Sequence, residues 1–94
     1  MQTEKRDDKL WKAVWNNNLE KVKKHLGKGA NINCTDKYGS SLLHIATTSY
    51  YPEIVKYLLE EGIDITIKDN RGYTSLKTAE LLKFTDIIKI FEEF

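Results

Sequence analysis

The stretch GSSLLHIA at 39–46 returns as GYTSLKTA at 72–79, an offset of 33 residues. At that offset Asp36 meets Asp69, Gly39 meets Gly72, Leu43 meets Leu76 and Ala46 meets Ala79. The match runs on through Ile54 and Ile87, Val55 and Ile88, and Lys56 and Lys89. Moving back by the same 33 residues finds a weaker copy, with Leu10 on Leu43, Ala13 on Ala46, Val22 on Val55, Leu26 on Leu59 and Gly29 on Gly62. A unit of this length used three times, the third cut short at Phe94, constrains the fold more than any other feature. Repeats of roughly 20–50 residues stack as solenoids, because no unit can bury its apolar face alone.

Each unit reads as two short helices. In 41–49 Leu42, Leu43 and Ala46 share a face, and in 52–62 Ile54, Val55, Leu58 and Leu59 do so at helical spacing. Ser41 and Thr74 are suited to N-caps, Pro52 to a first turn, and Gly62 to a left-handed stop. IDITIKDNRGY, after Gly62, reads as an extended finger with a turn at Asp69-Asn70-Arg71-Gly72, and ANINCTDKYGS is its earlier counterpart. The expected helices are 8–16, 19–27, 41–49, 52–61, 74–82 and 85–93. The expected core is Leu43, Ala46, Val55, Leu58, Leu76, Ala79 and Ile88. Helices of about nine residues are unstable alone in water, so stacking must hold them.

These residues resemble the ankyrin-repeat family. The central unit carries Gly39-Ser40-Ser41-Leu42-Leu43-His44-Ile45-Ala46-Thr47, then Glu53-Ile54-Val55-Lys56 and the closing Gly62. The first unit carries LEKVKKHLGKGANIN at 19–33. The resemblance implies an all-α solenoid of three antiparallel helix pairs joined by β-turn fingers. It covers roughly 8–94, with units at about 8–35, 36–68 and 69–94, and residues 1–7 are expected to be disordered or frayed. Leu42 and Ser75 replace the family's proline. Asn17, Tyr50 and Lys83 stand where its first helix usually ends in glycine. Tyr and Lys tolerate positive φ poorly, so reshaped or strained turns are expected at Tyr50 and Lys83. Only the central unit keeps the full motif, and the outer two are expected to act as caps.

Little in the chain suggests catalysis, and the chain is expected not to be an enzyme. The resemblance implies a turn-stabilising hydrogen bond for His44. His25 reads as a partly buried helix residue, and Cys34, matched by Ile67, as a small packing residue. One cysteine and two histidines offer few ligands for zinc, no phosphate-binding glycine loop occurs, and no cofactor or metal is expected. The 94 residues carry 15 basic and 14 acidic side chains, a net charge of +1, which gives no broad field for nucleic acid or membrane. The charge is uneven: 1–37 hold nine Lys/Arg and five Asp/Glu, giving +4, and 38–94 hold six and nine, giving −3. The charged opening MQTEKRDDK is unlike a signal peptide, no apolar run approaches the length of a membrane span, and the expected location is cytoplasmic.

What remains is surface recognition. The resemblance implies a concave groove lined by the fingers and first helices. Mapped by register, its candidate protein-binding residues are Lys37, Tyr38 and Ser40, then Arg71 and Tyr73, with Trp15, Thr48 and Leu81 on the helices. Trp, Tyr and Arg dominate binding hot spots, although Trp15 could instead fold over the open end of the stack as a lid. The expected function is a non-catalytic module docking another protein, as a free-standing inhibitor or immunity-type protein. Met1 and the capped outer units favour a free-standing chain over the alternative of a targeting or scaffold module cut from a larger one. A third reading is a nucleic-acid binder using Lys21, Lys23, Lys24 and Lys28; nucleic acid is the less expected partner, and no small-molecule substrate is expected.

Overall fold

The computed structural model describes residues 5–94. Its six helices are α1 (Lys5–Trp15), α2 (Leu19–Gly27), α3 (Leu42–Thr48), α4 (Pro52–Glu60), α5 (Ser75–Leu82) and α6 (Thr85–Glu92). They form three pairs: α1 packs on α2, α3 on α4 and α5 on α6, while α3 bridges α1 and α5 along one row and α4 meets α6 in the other. The only pairing of extended backbone among the described residues is one antiparallel bridge, Thr35 with Ser41, at a finger's base.

The caps explain where the helices start. The Ser41 hydroxyl accepts from the His44 amide and Thr74 Oγ1 accepts from the Lys77 amide, while Pro52 occupies the first turn of α4. Five helix ends close alike. The amide of the residue after the left-handed position reaches back to a carbonyl five residues earlier: Asn18 to Ala13, Ala30 to His25, Tyr51 to Ala46, Ile63 to Leu58 and Phe84 to Ala79. Gly29 and Gly62 serve α2 and α4, whereas Asn17, Tyr50 and Lys83 serve α1, α3 and α5 at φ of 54°, 59° and 59°. The turns at Tyr50 and Lys83 are therefore not reshaped; they keep the glycine geometry with a strained side-chain residue.

Helix α1 begins at Lys5, three residues before the boundary expected at 8. Asp7 is the reason: it sits in the first turn, favourable for a carboxylate near a helix N-terminus, is buried, and its Oδ1 accepts from the Asn31 amide at 2.8 Å. Residues 1–4 of the expected frayed segment lie outside the described residues.

Leu43, Ala46, Val55, Leu58 and Ala79 are fully buried. Burial of a Leu or Val side chain is worth about 1.5–3 kcal/mol, so these centre the stack's stability. Leu76 and Ile88, also expected in the core, are only half-buried, and Ile87 is buried in their place. Their counterparts Leu43 and Val55 are covered by α5 and α6, whereas no further helix pair among the described residues stacks on α5 and α6.

Candidate protein-binding groove

Each finger is built around one aspartate. Asp36 Oδ1 accepts from the amides of Tyr38 and Ser40, both at 2.9 Å, and Asp69 Oδ1 accepts from those of Arg71 and Tyr73 at 2.9 and 3.0 Å. Burial pushes the Asp69 carboxyl up, but the amides and the Arg71 guanidinium, 3.1 Å from Oδ2, outweigh it and hold the carboxyl below its ordinary value. Neighbouring fingers are joined by the Asn70 amide donating to the Tyr38 carbonyl at 2.9 Å. Gly39 permits this approach: a Cβ there would lie 2.8 Å from Asn70 Oδ1.

His44 ties the helices to the fingers. Ser41 N–H can only donate, so Nδ1 is the acceptor at 3.0 Å; the proton is on Nε2, which donates to the Tyr73 carbonyl at 2.8 Å. Ser41 Oγ lies 2.8 Å from the same Nδ1, a spacing also seen between a nucleophile and its base. Here both residues are buried, the Ser41 hydroxyl accepts from the His44 amide, and the arrangement is a capping box.

Between the fingers and the row α1, α3 and α5 lies a cavity of about 530 Å³. Of the residues expected there, Trp15, Tyr38, Ser40, Thr48 and Arg71 line it. Trp15 is 65 % exposed, and its carbonyl accepts from Tyr51 Oη at 3.1 Å, which holds the end of α1 against the second pair. Three others stand outside the lining. Lys37 lies with its ammonium 5.2 Å from the Tyr38 ring centroid. Tyr73 is half-buried beneath the Arg71 guanidinium, 5.1 Å away, and supports the finger. Leu81 is exposed farther along α5.

The floor includes Ile45 and Thr78, which were not among the expected residues. Both sit three residues before an expected helix position, Thr48 or Leu81, and that spacing puts them on the same face. Thr78 is 7 % exposed, and its Oγ1 has no hydrogen-bond partner among the described residues. The groove thus offers aromatic walls and a largely apolar floor, with the Thr78 hydroxyl buried beneath it.

The other candidate reactive groups lie apart. Burial, with Asp7 adding, pushes the Cys34 thiol up to about 11, so it is neutral and unreactive at ordinary pH. Slight burial and then neighbouring lysines lower the half-buried His25. No cluster of three or more His, Cys, Asp or Glu positioned for a metal occurs among the described residues, and none of their helices is long and apolar enough to cross a membrane.

Comparison with known proteins agrees with this architecture. Over 74 residues the chain is 34 % identical to an ankyrin repeat-containing protein of Schizosaccharomyces pombe, covering 79 % of this chain and 36 % of that one. Over 81 residues it is 35 % identical to the potassium channel AKT1 of Arabidopsis thaliana, covering 86 % and 10 %. Over 85 residues it is 34 % identical to protein phosphatase 1 regulatory subunit 27 of Mus musculus, covering 88 % and 53 %. The chain therefore spans between a tenth and about half of these relatives' lengths. The family model for ankyrin repeats matches in three copies over residues 10–92, and with that match across nearly the whole chain the protein belongs to the ankyrin-repeat family.

Proposed function

We propose that this chain is a non-catalytic docking module that holds a compact protein partner, or an exposed segment of one, in the groove between its fingers and α1, α3 and α5. Ankyrin repeats are generally protein–protein interaction modules and typically non-catalytic. The observation that carries the reading is the exposure of Trp15 and Tyr38 beside an apolar concavity that solvation alone would not require. The binding free energy is concentrated in Trp15, Tyr38 and Arg71, with Thr48 and Ser40 shaping the rim and Lys37, Tyr73 and Leu81 contributing from its edges. The docked chain acts as an inhibitor or immunity-type protein, covering a partner's active surface. The name of the mouse relative, a phosphatase regulatory subunit, is in keeping with regulation by docking. Cytoplasmic residence belongs to the same reading, supported by Cys34, a buried free thiol.

The test begins with capture of the partner from host lysate, followed by titration against variants. Truncating a buried aromatic or Arg anchor commonly costs at least ~2 kcal/mol. Trp15→Ala and Arg71→Ala should therefore weaken binding about thirtyfold or more, with little change in melting temperature. Lys23→Ala, on α2 away from the groove, should stay within about twofold. Silent groove variants beside a damaging Lys23 change would refute the assignment.

A further inference from the structure

The repeat register shows what the first helix pair presents where a preceding pair would stack. Lys9 occupies the place of Leu42 and Lys21 that of Ile54, both fully buried in the second unit. Lys12 replaces the half-buried Ile45, and His25 replaces the fully buried Leu58. A solenoid end must be polar to stay soluble, but it need not be of one sign. The opposite end illustrates this: there Lys77, Glu80 and Glu92 occupy the places of the buried His44, Thr47 and Leu59, mixing charges. At the first end the replacements of Leu42, Ile45, Ile54 and Leu58 are all basic, and Asp8 in the place of the buried Ser41 is the one acidic exception.

The cations share one packed helix pair: Lys9 and Lys12 stand three residues apart on α1, Lys21 and Lys24 three apart on α2, and Lys28 follows directly after α2. Slight burial and then Lys24, Lys28, Lys9 and Lys21 lower His25, in keeping with that placement. Lys9, Lys12, Lys21, Lys24 and Lys28 are exposed, and among the described residues none has a carboxylate within ion-pair distance. The exposed carboxylates on these helices are Asp8 and Glu20, four residues before Lys12 and Lys24, and neither is within ion-pair distance of a lysine of this face.

We propose that the outer face of the first helix pair, carrying Lys9 and Lys12 on α1 and Lys21, Lys24 and Lys28 on and just after α2, is a second docking surface that takes an acidic polypeptide segment of a partner protein. Uncompensated like charges repel one another, and an acidic segment relieves that repulsion. Nucleic acid fits less well. Residues 38–94 are net negative, Trp11 between Lys9 and Lys12 is half-buried, and the exposed Trp15 lines the groove, so the face itself carries no open aromatic platform for base stacking. This surface is independent of the groove, so the two readings can fail separately.

The test uses the full chain and a fluorescein-labelled ten-residue glutamate-rich peptide, followed by anisotropy at low and at physiological salt. The peptide should bind, more weakly as salt rises. The triple variant Lys9→Glu, Lys21→Glu, Lys24→Glu should lose about tenfold or more in affinity. The triple variant Lys56→Glu, Lys68→Glu, Lys89→Glu makes the same change in net charge elsewhere and should stay within about twofold. Trp15→Ala should have no effect. A Gln version of the first triple variant, checked by circular dichroism, guards against misfolding and should show a smaller loss of the same kind. The proposal is overturned if the peptide does not bind, if both triple variants lose equally, or if a single-stranded oligonucleotide of matched charge binds more tightly than the peptide.

Discussion

Replacing His44 by alanine should remove about 2–4 kcal/mol of folding stability, and the magnitude follows from two contacts. The first is the Ser41 amide, which donates to Nδ1 at 3.0 Å in a residue only 1 % exposed. Alanine leaves that amide buried without a partner, a loss of about 1–3 kcal/mol. The second is the Nε2 bond to the Tyr73 carbonyl, which fastens α3 to the next finger. That carbonyl also accepts from the Asp69 amide at 2.9 Å, so it is not orphaned and only a net hydrogen bond of about 0.5–1.5 kcal/mol is lost. A domain of this size has about 5–15 kcal/mol in total, so the variant should fold but melt early. Urea denaturation followed by far-ultraviolet circular dichroism measures the change. His44→Gln separates the contacts: glutamine at this position can reach back to the Ser41 amide as in a capping box but does not span to Tyr73, so it should recover roughly half of the loss. If alanine lowers stability by less than about 0.5 kcal/mol, or if glutamine is no better than alanine, the link between cap and finger is not what holds the repeats in register.

Lys83→Gly should raise the melting temperature by a few degrees, because relief of left-handed strain, about 1–2 kcal/mol, exceeds the added entropy of the unfolded chain, about 0.4–1 kcal/mol. Tyr50→Gly should give no gain despite the same φ, since Tyr50 Oη donates to Asp86 at 2.9 Å and its ring meets Phe84 edge-on; equal gains in the two thermal melts would refute this. The Asp69 carboxyl sits below its ordinary value when folded, so its ionised form stabilises the fold above the unfolded value near pH 4 and that stabilisation is lost as pH falls through the lower folded value. The stability difference between the wild-type chain and Asp69→Ala should therefore be largest near neutrality and shrink in acid, and a difference independent of pH from 7 to 3 would show that the charge on Asp69 does not matter.

Periodicity alone located the repeat, all six helices and the central residues of the core, Leu43, Ala46, Val55, Leu58 and Ala79, because packing of short helices forces apolar residues to recur at the stacking interval. The caps at Ser41 and Thr74 and the stop at Gly62 were equally legible, since each satisfies backbone groups only a few residues away. What local pattern could not settle was anything that depends on a neighbour. Leu76 reads the same as Leu43, yet only Leu43 has a further helix pair against it. Tyr50 and Lys83 look wrong for a left-handed turn, yet backbone bonds returning to Ala46 and Ala79 hold them there. In the groove, aromatic and basic residue types marked Trp15, Tyr38 and Arg71, whereas Ile45 and Thr78 resemble ordinary helix-face residues until α3 and α5 stand side by side behind the fingers. Tyr73 is marked in the sequence by its residue type alone, and only the structure shows it half-buried under Arg71 with its carbonyl bound to His44, at the groove's edge and not in its lining. The physical reason is range: caps and periodicity act within a turn or two of chain, while burial and groove membership are set by contacts between units a full repeat apart.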